Sequence, residues 1–430
     1  MDAPGTLRRE VGTLGAIGMG LGSIVGTGVF VSIGVAAGLT GPAVVLATIV
    51  AAGVATANGL SSAQLAASHP LAGGTYEYGH RYLTPALGFV AGWTFLSAKV
   101  ASAATAALGF AGYLRALFGQ TPEPSTITLI AVLTVIATTV LVLGGMRRSN
   151  AVNLGIVAIT LVSLAVFVAS ALPAFSRASF SPFFAPAAGE GTLRAFLHAT
   201  ALMFVAYTGY GRIATLGEEV HDPARTIPRA IIATLAVSAV LYVAVAAAAV
   251  GAVGAAAFSA ATTATAAPLQ AIARGLGHPA AATLLSIGAM TAMLGVLLNL
   301  VLGLSRVVLA MARRGDLPAP FARLRTRHAT PTAAVLLTGG LIATAALIGD
   351  VKTAWTVSAF TVLVYYAVTN LAALALPPEE RRFPRWIAWA GLGACLFLAF
   401  WVEVVVWAAG LGWIGLGLLA HLAARRYRRS

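Results

Sequence analysis

Two stretches of the 430-residue sequence put glycines and hydroxyls where an apolar helix would otherwise run. The first, GMGLGSIVGTG at 18–28, holds five glycines in eleven residues, together with Ser23 and Thr27. Each glycine costs about 1 kcal/mol relative to alanine in a helix. The helix is therefore expected to unwind near residues 24–28. Its freed N–H groups and the positive end of the following half-helix would then suit an anion such as a carboxylate. The same glycines also fit a small-residue packing stripe, with Gly18 and Gly22 at the required spacing. Dinucleotide binding is excluded, because no βαβ unit surrounds them.

The second stretch is FVAYTGYGR at 204–212, with two glycines, a hydroxyl and two tyrosines followed by Arg212. The tyrosines alone would be read as core packing. Paired with the first stretch, they suggest a second broken helix and a binding site between the two breaks. Two charges within apolar runs add candidates for coupling or gating. Lys99 lies midway along such a run, where a charge costs roughly 3 kcal/mol. There it would take up and release a proton, or be permanently paired. Arg212 directly follows the second break and is placed to pair with Glu218 or Glu219 in a cytoplasmic-side network.

The elements that must carry these residues follow from composition. The chain is 59% hydrophobic and 9% charged, with mean hydropathy +0.89. Soluble domains carry about 25% charged residues. Soluble, disordered and fibrous classes are excluded, and the apolar runs have the length of membrane helices. Twelve fit, over about 11–37, 41–67, 86–115, 125–146, 151–173, 192–219, 228–252, 279–312, 331–349, 353–376, 385–402 and 404–423. Prolines, Pro223 and Pro228 among them, are expected in the connections or at helix starts. The two broken helices are then spans 1 and 6, the spacing of two five-span halves repeated with inverted topology.

The net charge of +14 is mostly topology. Nineteen of the 27 lysines and arginines fall on the side of the N-terminus and five on the other. That predicts cytoplasmic N- and C-termini. The scatter over many short loops argues against nucleic acid. Cys395 is the single cysteine, so no intrachain disulfide or thiolate metal site is expected. The seven histidines are scattered, and no catalytic constellation or metal spacing appears. The run from Val11 is read as a retained span and not a signal peptide.

Four motifs in order resemble the amino acid–polyamine–organocation (APC) permease superfamily over nearly the whole chain. They are GSIVGTGVF at 22–30, LSSAQLAASHPLAGGTYEYGHRYLTPALGFVAGW at 60–93, FVAYTGYGRIATLGEEVHDPARTIPRAI at 204–231 and SRVVLAMARRGDLP at 305–318. The cationic and broad-range bacterial amino acid permease branches look nearest. The resemblance implies an all-α leucine-transporter fold: a single permease domain over 1–430, with ten core spans in about 11–376 and two appended spans in about 385–423. It implies substrate contacts at Ser23, Ile24, Gly26, Thr27 and Gly28, and at Phe204, Val205, Tyr207, Thr208, Gly209 and Tyr210. Thr27 and Gly28 would face the substrate carboxylate. Carbonyls near Phe204 and Tyr207 would face its amine.

Some relatives in the superfamily carry a fifth-span lysine in place of a sodium ion. Thr160 stands there in this sequence, a departure that moves attention to Lys99. Thr283, Ser286 and Thr291 of the eighth span are not adjacent, which gives sodium coupling little support. Gln64 and Arg314 also depart from the family pattern, each replacing an acid on the cytoplasmic side. The expectation is a secondary transporter of amino acids in the cytoplasmic membrane. It would work by alternating access, with protons or exchange as the coupling and with no cofactor or metal. An amino acid/polyamine exchanger and a non-transporting nutrient sensor are the alternatives.

Overall fold

The structure is a computed structural model that describes residues 11–70, 73–120, 123–144, 150–214, 220–324, 331–348 and 350–427. Among these residues the regular structure is helical, apart from one isolated bridge between Val11 and Val220. The first span is split into α1 (Thr13–Ile24) and α2 (Ile33–Thr40), the latter entered through a π-turn over Gly28–Ser32. Spans two to five are α3 (Val44–Ser68), α5 (Pro85–Leu117), α6 (Pro124–Leu143) and α7 (Asn150–Ala171). The sixth is split into α8 (Thr192–Tyr207) and α9 (Gly211–Ala214). Spans seven to twelve are α10 (Pro223–Val253), α13 (Pro279–Arg313), α14 (Thr332–Ile348), α15 (Val351–Leu374), α16 (Arg385–Ala399) and α17 (Val404–Tyr427). Three shorter helices connect spans and were not expected from the sequence: α4 (Thr75–Tyr82), α11 (Ala255–Thr265) and α12 (Pro268–Gly275). Among the described residues, helix occupies each of the twelve expected spans, eight helical stretches being long and apolar enough to cross a membrane, and the two discontinuous spans are the first and the sixth.

Local chemistry sets the ends. Proline opens α5, α6, α10, α12 and α13. At that position the missing N–H is not needed and φ is already helical. The Asp350 side chain accepts from the Thr353 amide (2.7 Å) and caps α15. One expectation fails. Pro228 lies inside α10, which begins at Pro223, five residues earlier than the expected 228. A proline there leaves the carbonyl of residue 224 without its helical donor. The Arg382 guanidinium supplies one, donating to the Ala224 carbonyl at 2.8 Å. The helix continues through the proline because a neighbouring segment satisfies the orphaned group.

In the core α5 packs on α13 and α15, α3 on α8, α10 and α15, and α1 on α7, α10 and α13. Small residues permit close approach, and glycines 59, 92 and 109 each face a neighbouring side chain with no room to spare. The last two spans lie against this bundle, α16 on α15 and α3, and α17 on α5 and α15. Lys352 pairs with Glu403 (3.4 Å), which ties the turn between them to the start of α15.

Candidate functional site

The break in the first span begins where α1 runs out of donors. After Ile24, Val25 turns to an extended conformation (φ −78°, ψ 95°). The amides of Val29 and Phe30 fold back onto the Gly26 carbonyl at 3.1 and 3.3 Å. As the first residues of a new helical segment, Thr27 and Gly28 have no preceding turn to which their amides can donate. The freed Ile24 carbonyl accepts from the Tyr242 hydroxyl of α10 at 2.8 Å.

The sixth span tightens where unwinding was expected. Between α8 and α9, residues Thr208–Tyr210 form a 3₁₀ turn. The Thr208 hydroxyl donates to the Val205 carbonyl at 2.8 Å, and the Thr208 carbonyl accepts from Tyr366 at 3.2 Å. The Ala206 carbonyl lies 3.3 Å from the same Tyr242 hydroxyl, so one phenol sits between the two breaks.

The breaks touch backbone to backbone, and glycine permits it. A Cβ on Gly209 would strike the Ser23 carbonyl and the Ile24 amide. One on Gly28 would come within 2.7 Å of the Ala206 Cβ.

A cavity of about 770 Å³ opens from this contact. Along α13 its lining runs from Val296 to Arg313 and uses nothing before Val296. At 1.5 Å per residue that is about 26 Å, from mid-helix to one end. The cavity is thus open toward the C-terminal end of α13 and closed beyond the breaks. On the closed side Trp355 donates to the Leu202 carbonyl (3.0 Å) and Tyr113 to the Phe30 carbonyl (2.9 Å). The open rim holds Arg313, Arg314 and Glu77, of which Arg314 and Glu77 form a two-pronged ion pair. Behind the rim, Asp316 accepts from the Tyr76 hydroxyl at 2.7 Å and lies 3.1 Å from His421 Nδ1. Burial, and then that bond, raise the Tyr76 phenol above its ordinary value, so it stays a donor.

The sequence-based candidates divide between wall and core. Ser23, Ile24, Gly26, Thr27 and Gly28 line the cavity, as do Val205, Thr208 and Gly209. The Thr27 hydroxyl is buried there without a partner among the described residues. Phe204, Tyr207 and Tyr210 are buried away from it. Phe204 packs edge-on against Tyr366, Tyr207 reaches the Thr48 carbonyl (3.3 Å), and Tyr210 lies against Tyr366. Their rings brace the second break from behind. Lys99 and Arg212 line the cavity, and Lys99 Nζ donates to the Thr208 hydroxyl at 2.9 Å. Thr160 does not line it; its hydroxyl donates to the Ile156 carbonyl within its own helix (2.8 Å). Glu218 and Glu219 lie outside the described residues.

Sequence reasoning missed Phe95, Ser102, Val296, Asn299 and Trp355 in the wall, and Tyr242 between the breaks. Asn299 was within reach of the rule that found Lys99, since an amide inside an apolar span is also costly. Nothing in the pattern distinguished Tyr242 or Trp355 from core aromatics.

Comparison with known proteins places this architecture. The amino acid permease family model matches residues 15–424. An uncharacterized transporter of Mycobacterium tuberculosis is 39% identical over 433 residues, covering 100% of this chain and 95% of its own. The branched-chain amino acid permease BcaP of Bacillus subtilis is 26% identical over 452 residues, with 98% and 94% covered. The vacuolar cationic amino acid transporter 4 of Arabidopsis thaliana is 26% identical over 399 residues, with 88% and 65% covered. The family match reaches into all twelve spans, and the chain belongs to the amino acid permease family of the APC superfamily, as a multi-pass membrane transporter of amino acids.

Proposed function

We propose that the protein carries amino acids across the cytoplasmic membrane by alternating access, with the substrate held between the two breaks. The observation that carries this reading is the direct contact of the breaks at the closed end of one cavity. The free amides at Thr27 and Gly28 and the Thr27 hydroxyl suit a carboxylate. The carbonyls at the second break, each with a second lone pair, would accept from an amine. A substrate bound there would bridge two helices that already touch through glycines, and could release or tighten their contact. The charge asymmetry of the loops supports cytoplasmic termini. With that orientation the open end of the cavity, at Arg313 and Arg314, faces the cytoplasm, and the conformation is inward-facing.

Lys99 supports proton coupling as part of this reading. Its ammonium bonds the second break directly through Thr208, so a change of protonation would be felt at the substrate site. The names of relatives include branched-chain and cationic amino acid carriers and a methylthioribose transporter of Bacillus subtilis, so the substrate must be read from this chain's own cavity. Counterflow in proteoliposomes tests the function. Preloaded unlabelled amino acid should drive labelled amino acid inward against its concentration. Binding without flux would instead favour a sensor, and flux only in exchange for internal substrate would favour an exchanger.

A further inference from the structure

The third span presents Phe95, Lys99 and Ser102 to the cavity. Spaced at i−4, i and i+3, they form one helical face. Lys99 is 8% exposed, and its ammonium has one hydrogen-bond partner among the described residues, the neutral Thr208 hydroxyl at 2.9 Å. A buried ammonium is costly unless a negative group is close or it gives up its proton. No such group in the described wall is available. Glu77 is the one carboxylate among the described lining residues, and it is bonded to Arg314 at the rim. Asp316 is engaged with Tyr76, and Glu403 pairs with Lys352. The other ionised groups of the wall, Arg212, Arg306 and Arg313, are also cations, and Arg212 and Arg306 have interactions of their own. The facing helices add polar and aromatic groups, Asn299 from α13 and Trp355 from α15.

We propose that the site takes amino acids whose side chain ends in a carboxylate, of the aspartate and glutamate class, with Lys99 as the counter-ion of that carboxylate. This rests on the transport reading above. The substrate α-carboxylate would take the amides at Thr27 and Gly28, and the side chain would extend along the face of Phe95 and Ser102 to the ammonium. The negative partner that the described residues do not give Lys99 is then brought by the substrate. A lysine or arginine substrate would set its cation against Lys99, with no carboxylate among the described lining residues except the rim Glu77 already bonded to Arg314, which disfavours the cationic class. A neutral substrate would leave the buried ammonium uncompensated.

The test is competition for uptake in proteoliposomes, followed by Lys99 variants checked for a monodisperse profile on size-exclusion. Wild-type protein should take up labelled glutamate or aspartate, and unlabelled arginine should not compete. Lys99→Met should raise the KM for the acidic substrate at least tenfold, and Lys99→Glu should shift preference toward lysine and arginine. Wild-type uptake of leucine or arginine in preference to glutamate would overturn the proposal while leaving amino acid transport standing. Unchanged glutamate KM in Lys99→Met would also overturn it. Absence of flux or binding for every amino acid would take down the transport reading and this proposal together. The wild-type panel decides even if both variants fail to fold.

Discussion

Tyr242 donates its phenolic hydrogen to the Ile24 carbonyl across 2.8 Å, and thereby fastens the seventh span to the group that the first-span break leaves without a donor. The same hydroxyl lies 3.3 Å from the Ala206 carbonyl. Its ring packs on Tyr207 with centroids 5.0 Å apart. Tyr242 is fully buried, so water is a poor substitute for its hydroxyl.

Tyr242→Phe keeps the ring and removes the bond. A buried carbonyl left unpaired costs about 1–3 kcal/mol. The variant should melt several degrees below wild type in detergent, and its uptake should fall several-fold. An unchanged melting temperature would show that the clasp contributes nothing to holding the breaks.

Gly209 tests the backbone contact itself. A methyl group at this position has nowhere to go except into the Ser23 carbonyl. Gly209→Ala should force the breaks apart and reduce substrate binding more than tenfold, measured by thermal shift on ligand addition. Gly53→Ala is the control, since a Cβ there meets nothing within 4 Å and alanine is the better helix former. If both variants bind equally well, the close approach is not needed for the site.

Much of the fold was legible because membrane helices announce themselves by length and by scarcity of charge. Eight helical stretches qualify on that ground, and proline punctuation helps to divide the chain into twelve spans. The first break was legible from its glycines, whose helical cost needs no tertiary context. The division of the second stretch was not. Val205, Thr208 and Gly209 turn to the cavity while Phe204, Tyr207 and Tyr210 turn away. That depends on a 3₁₀ turn whose tighter winding rotates successive side chains by more than an α-helix does. Pro228 misled for a related reason, since the donor that rescues its helix, Arg382, lies more than 150 residues away in sequence. Glycine density is a local signal, whereas helix facing and orphan rescue belong to the assembled bundle.

His69 carries a pH prediction. It follows α3 at the end of the second span and lies beside the rings of Tyr78 and Tyr82, each with centroid 6.5 Å away. Desolvation first, and then the Arg81 charge, lower its pKa from the ordinary 6.5. The folded state therefore prefers the neutral ring. The unfolded chain binds the proton more readily, so stability is full above about pH 6.5 and declines as pH falls below it. His69→Gln should flatten that acid-side decline in a melting-temperature profile between pH 7.5 and pH 5. A parallel decline in the variant would assign the acid sensitivity to other groups.

Lys99→Arg separates charge from proton exchange at the second break. Arginine keeps a positive charge, but at neutral pH it does not release its proton. If Lys99 only balances a substrate carboxylate, the variant should retain acidic-substrate binding within a few-fold and respond to a pH gradient as wild type does. If the ammonium also couples transport to protons, as its bond to Thr208 favours, binding should persist while acceleration by an inward proton gradient is lost. We expect the second result. The measurement is initial uptake at equal and unequal pH across the liposome membrane, beside affinity by thermal shift. Equal acceleration of wild type and Lys99→Arg would remove Lys99 from proton coupling. Loss of binding in the variant would mean that the slender ammonium, and not charge alone, is what fits beside Thr208.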